Sequence, residues 1–218
     1  MISSGFNPTA VTNSINGVKK AQGALMRTLV DAVNNQFISP MSNAWACQEA
    51  QEFFREFKNS MDDLVQKADS TFQSVVDTMN QGGTNWAAET GNSGSFVKVP
   101  YTNYTGRISV DSIKENIDDV RGVDPAAASS AIATFSALST NADGALSLAV
   151  NAVADCGFLG GSQQANLTAS LNSIKKDVKD TFDSYSNQTK DYVEKTIQKY
   201  GQMESKTAET FNVSGGKI

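Results

Sequence analysis

The sequence predicts an all-α protein built from two helix-turn-helix units and an irregular connector, and three observations predict it. Apolar residues recur at steps of three or four through most of the chain, the period of a helix stripe and not of a strand. Two pairs, Asn7-Pro8 and Asp124-Pro125, read as helix starts, with an N-cap residue followed by proline at the first helical position. The order helix, turn with a bulky aromatic, helix then occurs twice, as Trp45 and Phe158 mark the two turns at similar distances from their starts. Residues 1–83 form the first unit, 84–122 the connector and 123–218 the second unit.

After Asn7-Pro8, Val11, Ile15, Val18, Leu25, Leu29 and Val33 mark the first helix, which tolerates Gly17 and Gly23 at some cost in stability. Pro40 is expected to break it, and the chain turns through Ser42 to Cys47. The second helix carries Phe53, Phe54, Phe57, Met61, Leu64, Val65, Ala68, Phe72, Val75, Val76 and Met79, with Gln81-Gly82-Gly83 as its glycine stop. In the connector, Gly91-Asn92-Ser93-Gly94 is loop chemistry and the run from Phe96 to Tyr101 is extended or irregular. Val110, Ile113, Ile117 and Val120 suggest a short amphipathic helix behind an Asp111/Ser112 cap; a small hairpin is the other form open to this segment, and either way it lies on the surface of the helices. Asn103-Tyr104-Thr105 matches a glycosylation acceptor, which carries no weight in a chain that begins without a signal peptide.

The second unit opens with a stripe of smaller residues, Ile132, Phe135, Leu138, Ala142, Ala145, Ala149 and Val153. A turn from Asp155 to Gly161 leads to a last helix of roughly 70 Å, striped by Leu167, Leu171, Ile174, Val178, Phe182, Tyr185, Val193, Ile197, Tyr200 and Met203, with one gap near Thr189. Its other faces alternate Lys with Asp and Glu and belong in water. A helix of that length cannot bury its stripe on itself and needs an equally long partner.

Composition excludes several function classes. The net charge of -5 and the absence of a basic cluster argue against nucleic acid. The most apolar run, Leu146 to Ala154, is too short to cross a bilayer and is interrupted by Asn151, so no stable membrane insertion is expected. Met1-Ile2-Ser3-Ser4-Gly5 lacks the charged and apolar regions of a signal peptide. There is no histidine, the commonest general base and metal ligand, and the two cysteines, Cys47 and Cys156, are too few for a zinc site. No phosphate-binding glycine loop or nucleophile elbow occurs. The acidic pairs Asp62-Asp63 and Asp118-Asp119 read as solvated faces, because neighbours on a helix point apart. No catalytic residues, metal or cofactor are expected.

Two long helices around a Trp-x-Gly turn, followed by a Tyr-x-x-x-Asp/Glu sequence late in the second helix, form the pattern of the WXG (early secreted antigen, Esx) proteins of type VII secretion. The chain resembles that family in both helical units. The second unit carries Phe158-Leu159-Gly160, a Phe-for-Trp form of the turn, and Tyr200-x-x-x-Glu204; the first carries Trp45-Ala46-Cys47, which keeps the Trp and replaces the Gly, and has no tyrosine motif. The family's members pair as antiparallel hairpins into four-helix bundles, so the resemblance implies a monomeric pseudo-dimer: such a pair fused through the connector. It implies a secreted substrate or adaptor without a cleaved signal peptide, recognised by an FtsK/SpoIIIE-type ATPase through Trp45, Phe158, Gly160, Tyr200 and Glu204, with a co-secreted or host protein as further partner. It also sets the Trp45 turn beside Tyr200 and Glu204, and Cys47 and Cys156 at opposite ends. The same residues have plainer readings: Tyr200 as an ordinary stripe residue, Trp45 and Phe158 as plugs at the ends of helix pairs. The richness in Asn, Ser, Thr and Ala also suits a flagellin-like structural or filament protein, which would polymerise with concentration where a fused pair stays monomeric.

Overall fold

The computed structural model describes residues 6–91, 94–157 and 159–214, with side chains described as far as residue 206. It is all-α apart from one two-stranded ribbon. Helix α1 spans Pro8–Met26 and continues through two π-helical stretches, Arg27–Ala32 and Asn34–Ile38, into α2, Ser39–Ala44. Strand β1 is Trp45–Ala46, α3 is Gln48–Glu89, β2 is Gly122–Val123, α4 is Pro125–Ala154 and α5 is Gly161–Ser214.

Both predicted starts form. The Asn7 side chain accepts from the N–H groups of Thr9 at 3.1 Å and Ala10 at 3.2 Å, and Asp124 accepts from Ala126 at 2.9 Å and Ala127 at 3.0 Å. Each thereby satisfies donors that the first helical turn leaves unpaired.

Pro40 does not break the first helix. The buried residues Leu25, Leu29, Val33, Phe37 and Met41 are spaced by four throughout. In an α-helix each step of four overshoots a full turn by about 40°, so four steps would carry Met41 nearly to the far side from Leu25. The wider π turns, bonded from residue i to i+5, take up that excess and keep all five on one face. The looser winding also relieves the carbonyl crowding that a proline ring meets in an ordinary helix interior.

Gly82 and Gly83 do not stop the second helix either, and α3 runs on to Glu89. A glycine stop needs left-handed backbone, and the glycine that has it is Gly91, with φ of 71°. Gly83 is small for another reason: a Cβ there would lie 2.7 Å from the Phe96 ring.

The expected short helix at Val110–Val120 is absent. Ile117 and Val120 exchange backbone hydrogen bonds of 2.9 and 2.8 Å around Asp118 and Asp119, whose φ values are 49° and 65°. That is a two-residue hairpin turn of the type in which both central residues are left-handed, a conformation Asp tolerates. The stretch from Phe96 to Arg121 forms a strap along the first helix and α3, extended as far as Val110 and turning at Val110–Ile113 and Ile117–Val120. It ends in β2, which pairs antiparallel with β1, Trp45 opposite Val123 and Ala46 opposite Gly122.

Helix α4 packs against α1 and α5, and α3 against α1 and α5. Paired contacts show neighbours running in opposite directions: Gly17 meets Ala152 while Phe37 meets Phe135, and Lys67 pairs with Asp177 while Glu49 pairs with Lys199. The small buried residues of α4, including Ala128, Ala131, Ala142, Ala145 and Ala149, allow close approach on both sides. One aromatic cluster joins all four long helical segments. Phe37 stacks on Phe135 at 4.3 Å, Phe135 lies 4.6 Å from Phe182, and Phe57 meets Phe37 at 5.4 Å and Phe135 at 5.6 Å. No helix among the described residues is long and apolar enough to cross a membrane.

Candidate functional site

The predicted gap in the stripe of α5 is filled by Thr189, wholly buried, with its hydroxyl donating 2.6 Å to the Tyr185 carbonyl. The cover continues over Val193 and Thr196 and then runs out. Val193 is 5% exposed, but Ile197 is 38% and Met203 50% exposed. The stripe continues where the rest of the molecule no longer covers it, and Tyr200 lies in this stretch.

Opposite that stretch stands the β1–β2 ribbon. Together they border a cleft of about 570 Å³, with Ala46, Val120, Arg121 and Val123 on one side and Ile197, Tyr200 and Glu204 on the other. Tyr200 is half-buried and Glu204 exposed. Four residues apart on one helix, they share a face.

Trp45 underlies this end without reaching its surface. It is 0% exposed, held by Phe53 at 5.7 Å, Phe54 at 6.1 Å and Tyr192 at 6.5 Å between ring centroids. Its indole N–H neighbours the Cys47 thiol but makes no hydrogen bond of ordinary geometry to it or to any other group. Cys47, in the place of the turn glycine, has φ of -170° and ψ of 171°. This is extended backbone that any residue adopts, so the turn has no need of glycine.

Charge ties the two sides together. Lys199 of α5 pairs with Glu49 in the first turn of α3. The Lys199 ammonium holds the Glu49 carboxyl below its usual range, and Glu49 raises Lys199 in return. Burial pushes the Cys47 thiol up, and partial burial does the same to the Tyr200 phenol, helped by the nearby Cys47 and Glu49. Arg121, at the cleft, is paired with Glu115.

The predicted residues therefore divide. Trp45, Tyr200 and Glu204 lie at one end, the Trp45 ring beneath the surface and the other two at the cleft. Gly160 lies at the other, near Trp86 and Glu89 at the end of α3. Its carbonyl accepts from Gln164 at 3.0 Å at the start of α5, and nothing stands within 4 Å of the place a Cβ would take. The left-handed residue of that turn is Gly157, with φ of 62°. Phe158 lies outside the described residues. Cys156, in that same turn, is far along the molecule from Cys47.

Sequence reasoning missed Tyr192, Arg121 and β2. Tyr192 had a signal: it follows Tyr185 by one heptad, and both rings face α3, Tyr185 meeting Phe57 at 5.0 Å and Tyr192 meeting Phe53 at 5.3 Å. The ribbon had none, because a two-residue strand leaves no periodicity.

Chemically, the arrangement offers an apolar and hydrogen-bonding surface. Among the described residues there is no group of His, Cys, Asp or Glu side chains able to hold a metal. No family model, curated protein or solved structure matches the chain.

Proposed function

We propose that the chain is a non-enzymatic type VII secretion substrate or adaptor of WXG-like design, its two helical hairpins fused into an antiparallel four-helix bundle that acts as a pseudo-dimer. The observation that carries this reading is that the buried Trp45 turn lies at the same end as Tyr200 and Glu204 of α5, beside the cleft those two residues border. The shared aromatic cluster of Phe37, Phe57, Phe135 and Phe182 supports the fused pair, because each half supplies apolar surface that the other lacks. Trp45 acts from within, by anchoring the turn on Phe53, Phe54 and Tyr192, and Tyr200 and Glu204 present the readable face to a secretion ATPase of the FtsK/SpoIIIE type.

The test is export from a cell carrying such a system. Tyr200→Ala should abolish export while circular dichroism shows unchanged helicity, because its ring is half-buried near the uncovered end of α5. Normal export of that variant refutes the role.

A further inference from the structure

The strap is held in an unusual way. Its backbone, more than its side chains, is bonded by polar side chains of the first helix and α3. Asn80 accepts from the Val99 N–H at 2.9 Å and donates to the Val99 carbonyl at 2.8 Å. Asn34 does the same in split form, donating to the Arg107 carbonyl at 3.0 Å and accepting from the Ser109 N–H at 2.9 Å. Between them, Asp69 accepts from the Tyr104 N–H and Asp62 from the Ile108 N–H, each at 3.1 Å. A carboxamide offers both a donor and an acceptor, so it can pair with any residue's peptide group. Four side chains so placed read extended backbone whatever its sequence.

Specificity comes from sockets between these clamps. The Phe96 ring fills the space left by the absent side chain of Gly83. Tyr101 donates its hydroxyl to Asp69 at 2.6 Å, and burial together with that carboxylate keeps the phenol protonated. Ile108 and Ile113 are buried farther along. Backbone bonds for affinity with spaced sockets for selectivity is the design by which proteins bind extended peptides.

We infer that the groove between the first helix and α3 is a binding site for an extended peptide, closed in the resting chain by its own strap. The ligand is a partner's extended segment with an aromatic residue, a tyrosine and an aliphatic residue at the spacing of Phe96, Tyr101 and Ile108. The tethered strap competes at an effective concentration of about millimolar. A segment in trans therefore binds with its affinity reduced by the fraction of molecules whose strap is open.

The probe is a fluorescent synthetic peptide with the sequence of residues 95–114, titrated into full-length protein. The double variant Phe96→Ala/Ile108→Ala loosens the strap and leaves the groove untouched. It should bind the peptide about tenfold or more tightly than the wild type does, because the open fraction rises. Adding Asn34→Ala and Asn80→Ala should remove that gain, and a scrambled peptide should not bind. Equal binding by wild type and a still-helical double variant overturns the inference, as does equal binding of the scrambled peptide. If the double variant loses its helices, hydrogen exchange on the wild type decides. Amides of Val99, Tyr104, Ile108 and Ser109 should exchange about a hundredfold or more faster than those of the buried helix core. Exchange only in step with the helices means that the strap does not open, and the inference fails.

Discussion

At Gly83 a Cβ would meet the Phe96 ring at 2.7 Å, whereas at Gly23 the nearest group is the flexible end of Arg27 at 3.7 Å. Both glycines sit inside helices, where alanine is better by about 0.5–1 kcal/mol. Gly23→Ala should therefore stabilise the protein by about that amount. Gly83→Ala gains the same propensity but must expel an aromatic ring, an overpacking cost of about 1–3 kcal/mol. Its net effect is destabilising, and the two variants should shift a urea midpoint in opposite directions. Gly82-Gly83 reads as a stop because glycine's commonest role near a helix end is the left-handed cap. Only the fold shows that the cap is Gly91 and that Gly83 answers to a ring from the strap.

At the scale of elements, the helices were legible and the strap was not. Every predicted stripe residue of α1 and α3 is buried, since a run of that length leaves one face no alternative. The spacing by four from Leu25 to Met41 even carried the signature of loosened winding, although Pro40 next to it reads more readily as a break. The strap's Val110, Ile113, Ile117 and Val120 have helical spacing but only part of a buried face, and Val120 is 66% exposed. Its conformation depends on side chains elsewhere that bond its peptide groups, which no local pattern reveals. Asp69 is the chief of these: besides Tyr101 and the Tyr104 N–H, it accepts from Gln22 at 2.8 Å and Asn103 at 3.3 Å. Asp69→Ala should cost about 1.5–3 kcal/mol, because donors bonded to a charged, part-buried group lose it together. Chemical denaturation measures that loss, and Asp69→Asn, which keeps one acceptor oxygen, should recover part of it.

At the scale of the molecule, the halves are joined through Phe135, which stacks on Phe37, touches Phe57 and lies against Phe182. Phe135→Ala should cost about 3–5 kcal/mol. Calorimetry should show its single melting transition moved to lower temperature without splitting in two, because the ring packs on residues of both halves. The candidate site was legible in part. The period of α5 shows which face holds Tyr200, but not that its cover ends beyond Thr196, since that depends on where α3 and the ribbon stop. The two tryptophans stand about 60 Å apart along α3, Trp45 sealed at one end and Trp86, 40% exposed, stacked on Phe6 at the other. Intrinsic fluorescence thus carries two separable colours, a blue-shifted emission from the enclosed indole and a redder one from the wetter ring. Whatever lifts α5 away from the ribbon reddens the first and leaves the second as it was, so the protein has its own gauge of which end has opened.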